Sequence, residues 1–241
     1  MNNKFFITWL IFVFLLIGCE RTEQTTHSKE IITKEKQSSL TPDDVVENLK
    51  IGNNNFVSNN LSPIDYLAQA EATAEGQYPE AIILSCIDSR VPVELIFDKG
   101  IGDIFVARVA GNFEDEDILG SMEYATAVAG SKLVVVLGHS HCGAVKGTID
   151  KENVEKLGLE NLNELLEKIE PAVKAALLPD EERSPKNHDL IDRVIEKNVE
   201  LTIERIREKS KTLAQLEEEG TIKIVGAIYD IETGVVRWIG E

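Results

Sequence analysis

Leu133-Val134-Val135-Val136-Leu137-Gly138-His139-Ser140-His141-Cys142-Gly143 is the stretch that decides the fold. Its first half is an unbroken apolar run, mostly β-branched, too short for a helix and without polar alternation. That is the pattern of a strand covered on both faces. Two more runs of the same kind lie upstream, Ala81–Leu84 and Ile104–Ala107. The spacing predicts a helix over Ile118–Gly130, carrying Met122, Tyr124, Ala125 and Val128, between the second and third strands. Downstream come helices predicted over Leu159–Leu178 and His188–Lys209. The latter has an apolar stripe of Ile191, Val194, Ile195, Val199, Ile203 and Ile206. A strand over Thr221–Tyr229, a turn at Glu232-Thr233-Gly234 and a last strand over Val235–Ile239 follow. Strands alternating with helices indicate an α/β fold: a mainly parallel β-sheet flanked by helices. The tight turn at Gly234 adds an antiparallel edge strand.

The folded body begins near Thr41-Pro42-Asp43-Asp44. There a capping threonine, a first-turn proline and two acids precede Val45, Val46 and Leu49. A second helix is predicted from Ser62-Pro63, carrying Tyr66, Leu67 and Ala70. The chain has 241 residues, 43% of them hydrophobic, enough for one sizeable core. Its formal net charge of -17 repels a phosphate backbone, so nucleic acid is not an expected partner.

The N-terminus reads as a targeting segment. Lys4 precedes an apolar run from Phe5 to Ile17, shorter than the about 20 residues a membrane-spanning helix needs and of signal-peptide length. The run ends Leu16-Ile17-Gly18-Cys19, which resembles a bacterial lipobox. The resemblance implies a lipoprotein signal peptide over 1–18 and a lipid on Cys19. The protein would then be held to a membrane in the bacterial cell envelope, outside the cytoplasm. Residues 19–40 are polar, without sustained periodicity, and are expected to form a flexible tether to a folded domain over 41–241.

Three cysteines, Cys19, Cys86 and Cys142, are too few and odd in number for a disulfide framework. Cys86-Ile87-Asp88-Ser89-Arg90 closely follows the first strand, and Gly138-His139-Ser140-His141-Cys142-Gly143 follows the third. In an open α/β sheet, sites form where parallel strands end. Zinc accepts thiolate and imidazole, and catalytic zinc sites keep one position open beside three protein ligands. Cys86, His139 and Cys142 make such a set. His141 competes with His139, but it adjoins Cys142, and neighbouring side chains on extended backbone point to opposite sides. A Cys86–Cys142 disulfide and two buried free cysteines remain as other readings of the same residues.

At this point the chain resembles the β-carbonic anhydrases. Cys86-Ile87-Asp88-Ser89-Arg90-Val91-Pro92 is similar to the family's first signature, and Gly138-His139-Ser140-His141-Cys142-Gly143 to its second. The runs Gly102–Asn112, Ser121–Ala125 and Val225–Asp230 are also family-like. The resemblance implies a Zn2+ site of Cys86, His139 and Cys142, and a catalytic Asp88–Arg90 pair beside it. It also implies dimers or multiples of dimers with the active site near the subunit interface. Gln77, Phe105 and Tyr124 match the plant-like branch, where they line the substrate pocket, and Gly143 would offer a backbone N–H to substrate. The other branch uses a tryptophan for an inhibitory bicarbonate site. Ile83 stands at that position here, so none is expected, although Arg108 is present. The implied activity is reversible hydration of CO2 to bicarbonate. CS2 or COS hydrolysis on the same ligands, and a non-catalytic lipid-anchored zinc-binding protein, are the alternatives.

Overall fold

A computed structural model describes residues 28–240. The signal-type segment and Cys19 lie outside the described residues. In chain order the elements are α1 (Lys34–Ser39), α2 (Pro42–Val57), α3 (Tyr66–Ala72), β1 (Ala81–Ser85), α4 (Val93–Ile96), β2 (Ile104–Arg108), α5 (Glu116–Glu123), a π-helical segment (Tyr124–Val128) and β3 (Leu133–His139). Then follow α6 (Gly143–Ile149), α7 (Lys151–Glu155), α8 (Glu160–Glu167), α9 (Glu170–Ala176), α10 (His188–Lys209), α11 (Lys211–Glu218), β4 (Lys223–Tyr229) and β5 (Val236–Trp238).

The strands form one sheet in the order β2-β1-β3-β4-β5, parallel except for β5, which runs antiparallel to β4. β1 and β3 are buried along their whole length, which is why their sequences are apolar without alternation. Successive side chains go to opposite faces. Ile83 and Val135 meet Val45 and Leu49 of α2, Phe97 and Trp238 on one face. Ile82, Leu84, Val134 and Val136 meet Met122 of α5 and Val199, Ile203 and Ile206 of α10 on the other. The α/β architecture expected from the sequence is the one observed.

α10 packs on the sheet over two strand positions that are glycine and leaves no room there for a side chain. A Cβ at Gly138 would stand 2.8 Å from Val199 Cγ2, and one at Gly226 would stand 2.7 Å from Val199 Cγ1. No helix among the described residues is long and apolar enough to cross a membrane.

Several boundaries differ from the sequence reading, each for a local reason. α3 starts at Tyr66, capped by Asp65, rather than at Ser62-Pro63. Ser62 is engaged elsewhere, its N–H and hydroxyl donating to Asp98 at 3.0 and 2.7 Å. The helix expected over Ile118–Gly130 begins earlier, at Glu116 behind Asp115, and its end widens into a π turn closed by Ala129 N–H to Tyr124 O. The helix expected over Leu159–Leu178 is two, since Pro171 has no N–H to continue α8 and suits the first turn of α9.

The tether expected over 19–40 is corrected for residues 28–40, which pack on the body. Lys29 N–H donates to Pro63 O, and its ammonium reaches Asp103 at 3.2 Å. Thr33 caps α1, and the buried Gln37 donates to Pro79 O at 2.8 Å and Ala129 O at 2.9 Å. Polar composition concealed this, because Gln37 docks through backbone carbonyls rather than through an apolar stripe.

Candidate metal centre

β1 and β3 are neighbours, and their register pairs Ser85 with Leu137. Cys86, one residue past β1, therefore emerges level with Gly138, beside His139 at the last position of β3. Adjacent strands lie about 4.8 Å apart, so the two ligand-bearing ends meet without any loop closing over them. The chain then turns through His141, at φ +57°, and enters α6, with Cys142 at the position that precedes its first turn. The result brings Cys86 Sγ, a ring nitrogen of His139 and Cys142 Sγ within 4.8 Å of one another, and all three residues are buried.

His139 Nδ1 lies 2.9 Å from Ser140 O. A carbonyl only accepts, so Nδ1 carries the proton and Nε2 presents its lone pair to the sulfurs. Nε2 is buried with no hydrogen-bond partner. Both thiols are free. The S–H of Cys142 donates to Cys86 and, with help from His139 and the backbone, lowers the Cys86 pKa to about 4 despite burial. The same bond and burial push Cys142 up. Two like charges at this spacing cannot both persist in a buried site without a cation.

An orphaned imidazole nitrogen and two sulfurs sharing one proton are what a soft divalent ion would satisfy, so the residues fit zinc. His141 turns away: its Nε2 lies 3.2 Å from Glu232, and its ring stands against His188. The side chains at 139 and 141 diverge because the chain turns at His141, whose φ of +57° leaves the extended geometry on which alternation was argued; on a continuing strand the two would share a side.

Asp88 faces the same opening. Its Oδ2 is 4.0 Å from His139 Nε2. Arg90 grips it with Nε to Oδ1 at 2.9 Å and a terminal nitrogen to Oδ2 at 2.8 Å, and the Arg90 N–H adds a third bond at 3.0 Å. These bonds hold the Asp88 carboxyl well below the usual carboxylate range. The same guanidinium reaches His141 O at 3.4 Å, tying the two ligand loops together.

Two supports went unassigned in the sequence reading. Arg108 donates to Cys86 O at 2.9 Å and to Asp88 O at 2.6 Å, bracing the loop that carries both residues. Gly111 N–H donates to Cys86 Sγ at 3.3 Å. Both lie in the family-like run over Gly102–Asn112, yet nothing in that run says which backbone atoms they meet.

The expected substrate-pocket residues do not gather at this site within one chain. Phe105 pairs with Ile82, so it lies about 13 Å down the sheet from Cys86 at about 3.3 Å per residue. It meets the half-exposed Tyr124 edge-on, ring centroids 6.2 Å apart, in an open groove that includes Ile82, Ala107 and Ile118. Gln77 is exposed beside Thr73 and Gly102. Gly143 opens α6 next to Cys142, with free space beside its Cα.

Residues 81–236 match the family model for carbonic anhydrase. The chain belongs to the β-carbonic anhydrases. A carbonic anhydrase of Mycolicibacterium smegmatis is 34% identical over 194 residues, covering 78% of this chain and 89% of that one. Among solved structures, the β-carbonic anhydrase CafA of Aspergillus fumigatus superposes with a TM-score of 0.62 at 27% identity, covering 73% of this enzyme and 82% of that chain. One of two β-carbonic anhydrases of Sordaria macrospora, described as tetrameric, gives 0.56 at 25% identity, covering 73% and 90%.

Proposed function

We propose that this chain catalyses the reversible hydration of CO2 to bicarbonate at a zinc ion held by Cys86, His139 and Cys142. The observation that carries the reading is the convergence of those three donors within 4.8 Å, with the Asp88 carboxylate 4.0 Å from His139 Nε2, in a chain of the carbonic anhydrase family. When bound, the ion supplies Lewis acidity, lowering the pKa of a water in its open position toward neutrality.

The protein does the rest. Asp88, ionised by its bonds to Arg90, accepts the hydrogen of the attacking water at a carboxylate oxygen and so orients the oxygen lone pair toward CO2. Arg90 keeps both carboxylate oxygens turned to itself, which holds Asp88 at the edge of the donor set. Burial of the cysteines and His139 keeps competing water off the donors, and Gly143 N–H is offered to the developing bicarbonate.

Gln77, Phe105 and Tyr124 support assignment to the plant-like branch, and Ile83 in place of a tryptophan fits it. Because these three stand away from the donors of their own chain, a second copy would bring them to the pocket, in a homodimer or a multiple of one. The relative described as tetrameric favours that arrangement. The Gly18-Cys19 end of the leading apolar run supports a lipid anchor on Cys19, with residues 1–18 removed and the enzyme held at the cell envelope. Incorporation of labelled fatty acid, lost in Cys19→Ala, tests that part.

The activity is tested by stopped-flow CO2 hydration together with zinc analysis, with CS2 and COS in parallel assays. Near-stoichiometric zinc with hydration abolished in Cys86→Ser is the expected result. Zinc-loaded protein that hydrates no CO2 overturns the proposal, and turnover of CS2 or COS in its place would replace it.

A further inference from the structure

α10 carries a second stripe besides its apolar one. Asn198, Thr202, Arg205 and Lys209 recur at helical spacing along one face. The stripe grips segment 109–114, which is neither helix nor strand. Arg205 Nε and Lys209 Nζ meet the buried Glu114 carboxylate at 2.9 and 2.8 Å. Arg205 also donates to Thr202 Oγ1 at 3.1 Å. One turn closer to the metal centre, Asn198 Nδ2 donates to Gly111 O at 2.8 Å. The N–H of Gly111 is the one that donates to Cys86 Sγ.

We propose that Asn198 is a positioning residue for the Cys86 sulfur: by fixing the Gly111 turn it aims a backbone N–H at the thiolate and draws charge off it. This deepens the metal reading above and rests on it. The Gly111–Asn112 peptide is pinned at both ends, its C=O by Asn198 and its N–H by Val109 O at 3.0 Å. Gly111 has φ +84°, and a Cβ there would stand 2.4 Å from Ile169 Cδ1, so the turn tolerates no side chain. The Gly111 N–H lies in the preceding peptide, joined to the pinned one through Gly111 Cα, and the φ of +84° held by the turn sets its direction relative to that peptide.

Asn198 itself is 1% exposed, and its Oδ1 has no hydrogen-bond partner. A buried amide with an idle oxygen is unfavourable for folding compared with a leucine of similar shape. Its presence is therefore explained by its donor end. A donor to a ligating sulfur lowers the charge that the sulfur passes to the ion, as outer partners of metal ligands do.

The test uses the full chain with Asn198→Leu and Asn198→Ser, neither of which reaches Gly111 O with a donor. The control is Ile206→Ala, a fully buried position in the apolar stripe of the same helix. Two readouts are taken: Gly111 amide exchange by NMR in the metal-free protein, and the sulfur-to-metal charge-transfer band after Co2+ loading. In both Asn198 variants the Gly111 amide should exchange about 10-fold faster, the consequence of losing one buried hydrogen bond. The band should move to lower energy. Ile206→Ala should change neither at a comparable loss of thermal stability. Wild-type exchange and an unmoved band in the Asn198 variants, or the same changes in Ile206→Ala, overturn the proposal. A wild-type chain that takes up Co2+ without any such band refutes the metal reading instead, while the exchange measurement still decides the link between Asn198 and Gly111.

Discussion

Val199 sits astride two glycines, and that arrangement predicts a strong energetic coupling. Its Cγ2 would stand 2.8 Å from a Cβ at Gly138 and its Cγ1 2.7 Å from one at Gly226, and the residue is fully buried. Gly138→Ala forces one methyl into occupied space on the strand that ends at His139. Overpacking of this kind costs about 1–3 kcal/mol. Reduced freedom of the unfolded chain returns about 0.4–1 kcal/mol. Val199→Ala removes both methyls, at about 0.8 kcal/mol each plus a cavity contribution, or about 2 kcal/mol in all. In the double variant the new Cβ enters the space that Cγ2 vacated. The clash with Val199 is gone and part of the cavity is filled, while the new Cβ still stands 3.3 Å from Ile195 Cγ2, so the double variant should be about 1 kcal/mol more stable than the sum of the singles. Urea unfolding of all four proteins at one concentration measures this directly. Thermal midpoints should differ from the additive expectation by about 2–4 °C. Because Gly138 precedes His139, Gly138→Ala alone should also bind metal more weakly, with Val199→Ala restoring it. Additivity within about 0.3–0.5 kcal/mol would refute this account of how Val199 packs over the two glycines.

Arg90→Ala should raise the Asp88 pKa toward the ordinary carboxylate value and move the acid limb of the kcat/KM profile upward in pH, with activity at alkaline pH less affected. The sign follows because the hydrogen bonds that depress the pKa are removed; an unmoved limb counts against Asp88 as the acceptor. Arg183 joins the buried Glu170 to the last carbonyls of α6, Thr148 O and Ile149 O, and its bonds lower the Glu170 pKa. Arg183→Ala should cost about 3 kcal/mol in urea unfolding at pH 7. The difference from wild type should shrink in acid, since a depressed carboxyl stabilises only above its folded pKa and loses that contribution as pH falls through it. Gln37→Ala removes two buried hydrogen bonds, leaving Ala129 O without its side-chain donor and Pro79 O with Ser131 Oγ alone, and should cost about 2 kcal/mol. Limited proteolysis should spare residues 28–40 in the wild-type chain and cut there in the variant. Early cleavage of the wild-type chain within that segment would contradict its docking on the body.

Much of the fold was legible because interior strands have no alternative pattern. Ala81–Leu84 and Leu133–Leu137 are apolar throughout and buried throughout, whereas Ile104–Ala107, expected to be covered in the same way, is a half-buried edge strand, and Gly234 marks the antiparallel turn between β4 and β5. The breaks were harder. Pro171 divides α8 from α9 in the way that proline chemistry requires, whereas Ser62 gave no warning that its cap would be spent on Asp98. Gln37 was unreadable for a related reason: its partners, Pro79 O and Ala129 O, are backbone atoms far along the chain, and backbone carries no sequence signal.

The donor types at 86, 139 and 142 and their place at or just past strand ends were determined by sequence alone. The end of an apolar run marks the end of a strand whatever the rest of the chain does, whereas the left-handed turn that sends His141 outward carries no such mark. Tertiary structure decided which strands became neighbours, and with that whether two sulfurs and an imidazole share a point in space. It also decided that Arg108 braces Cys86 and Asp88, that Gly111 offers its N–H to Cys86 Sγ, and that Phe105 and Tyr124 stand away from the donors of their own chain. Those are contacts between segments remote along the chain, made through carbonyls and amides common to every residue, and only packing selects among them.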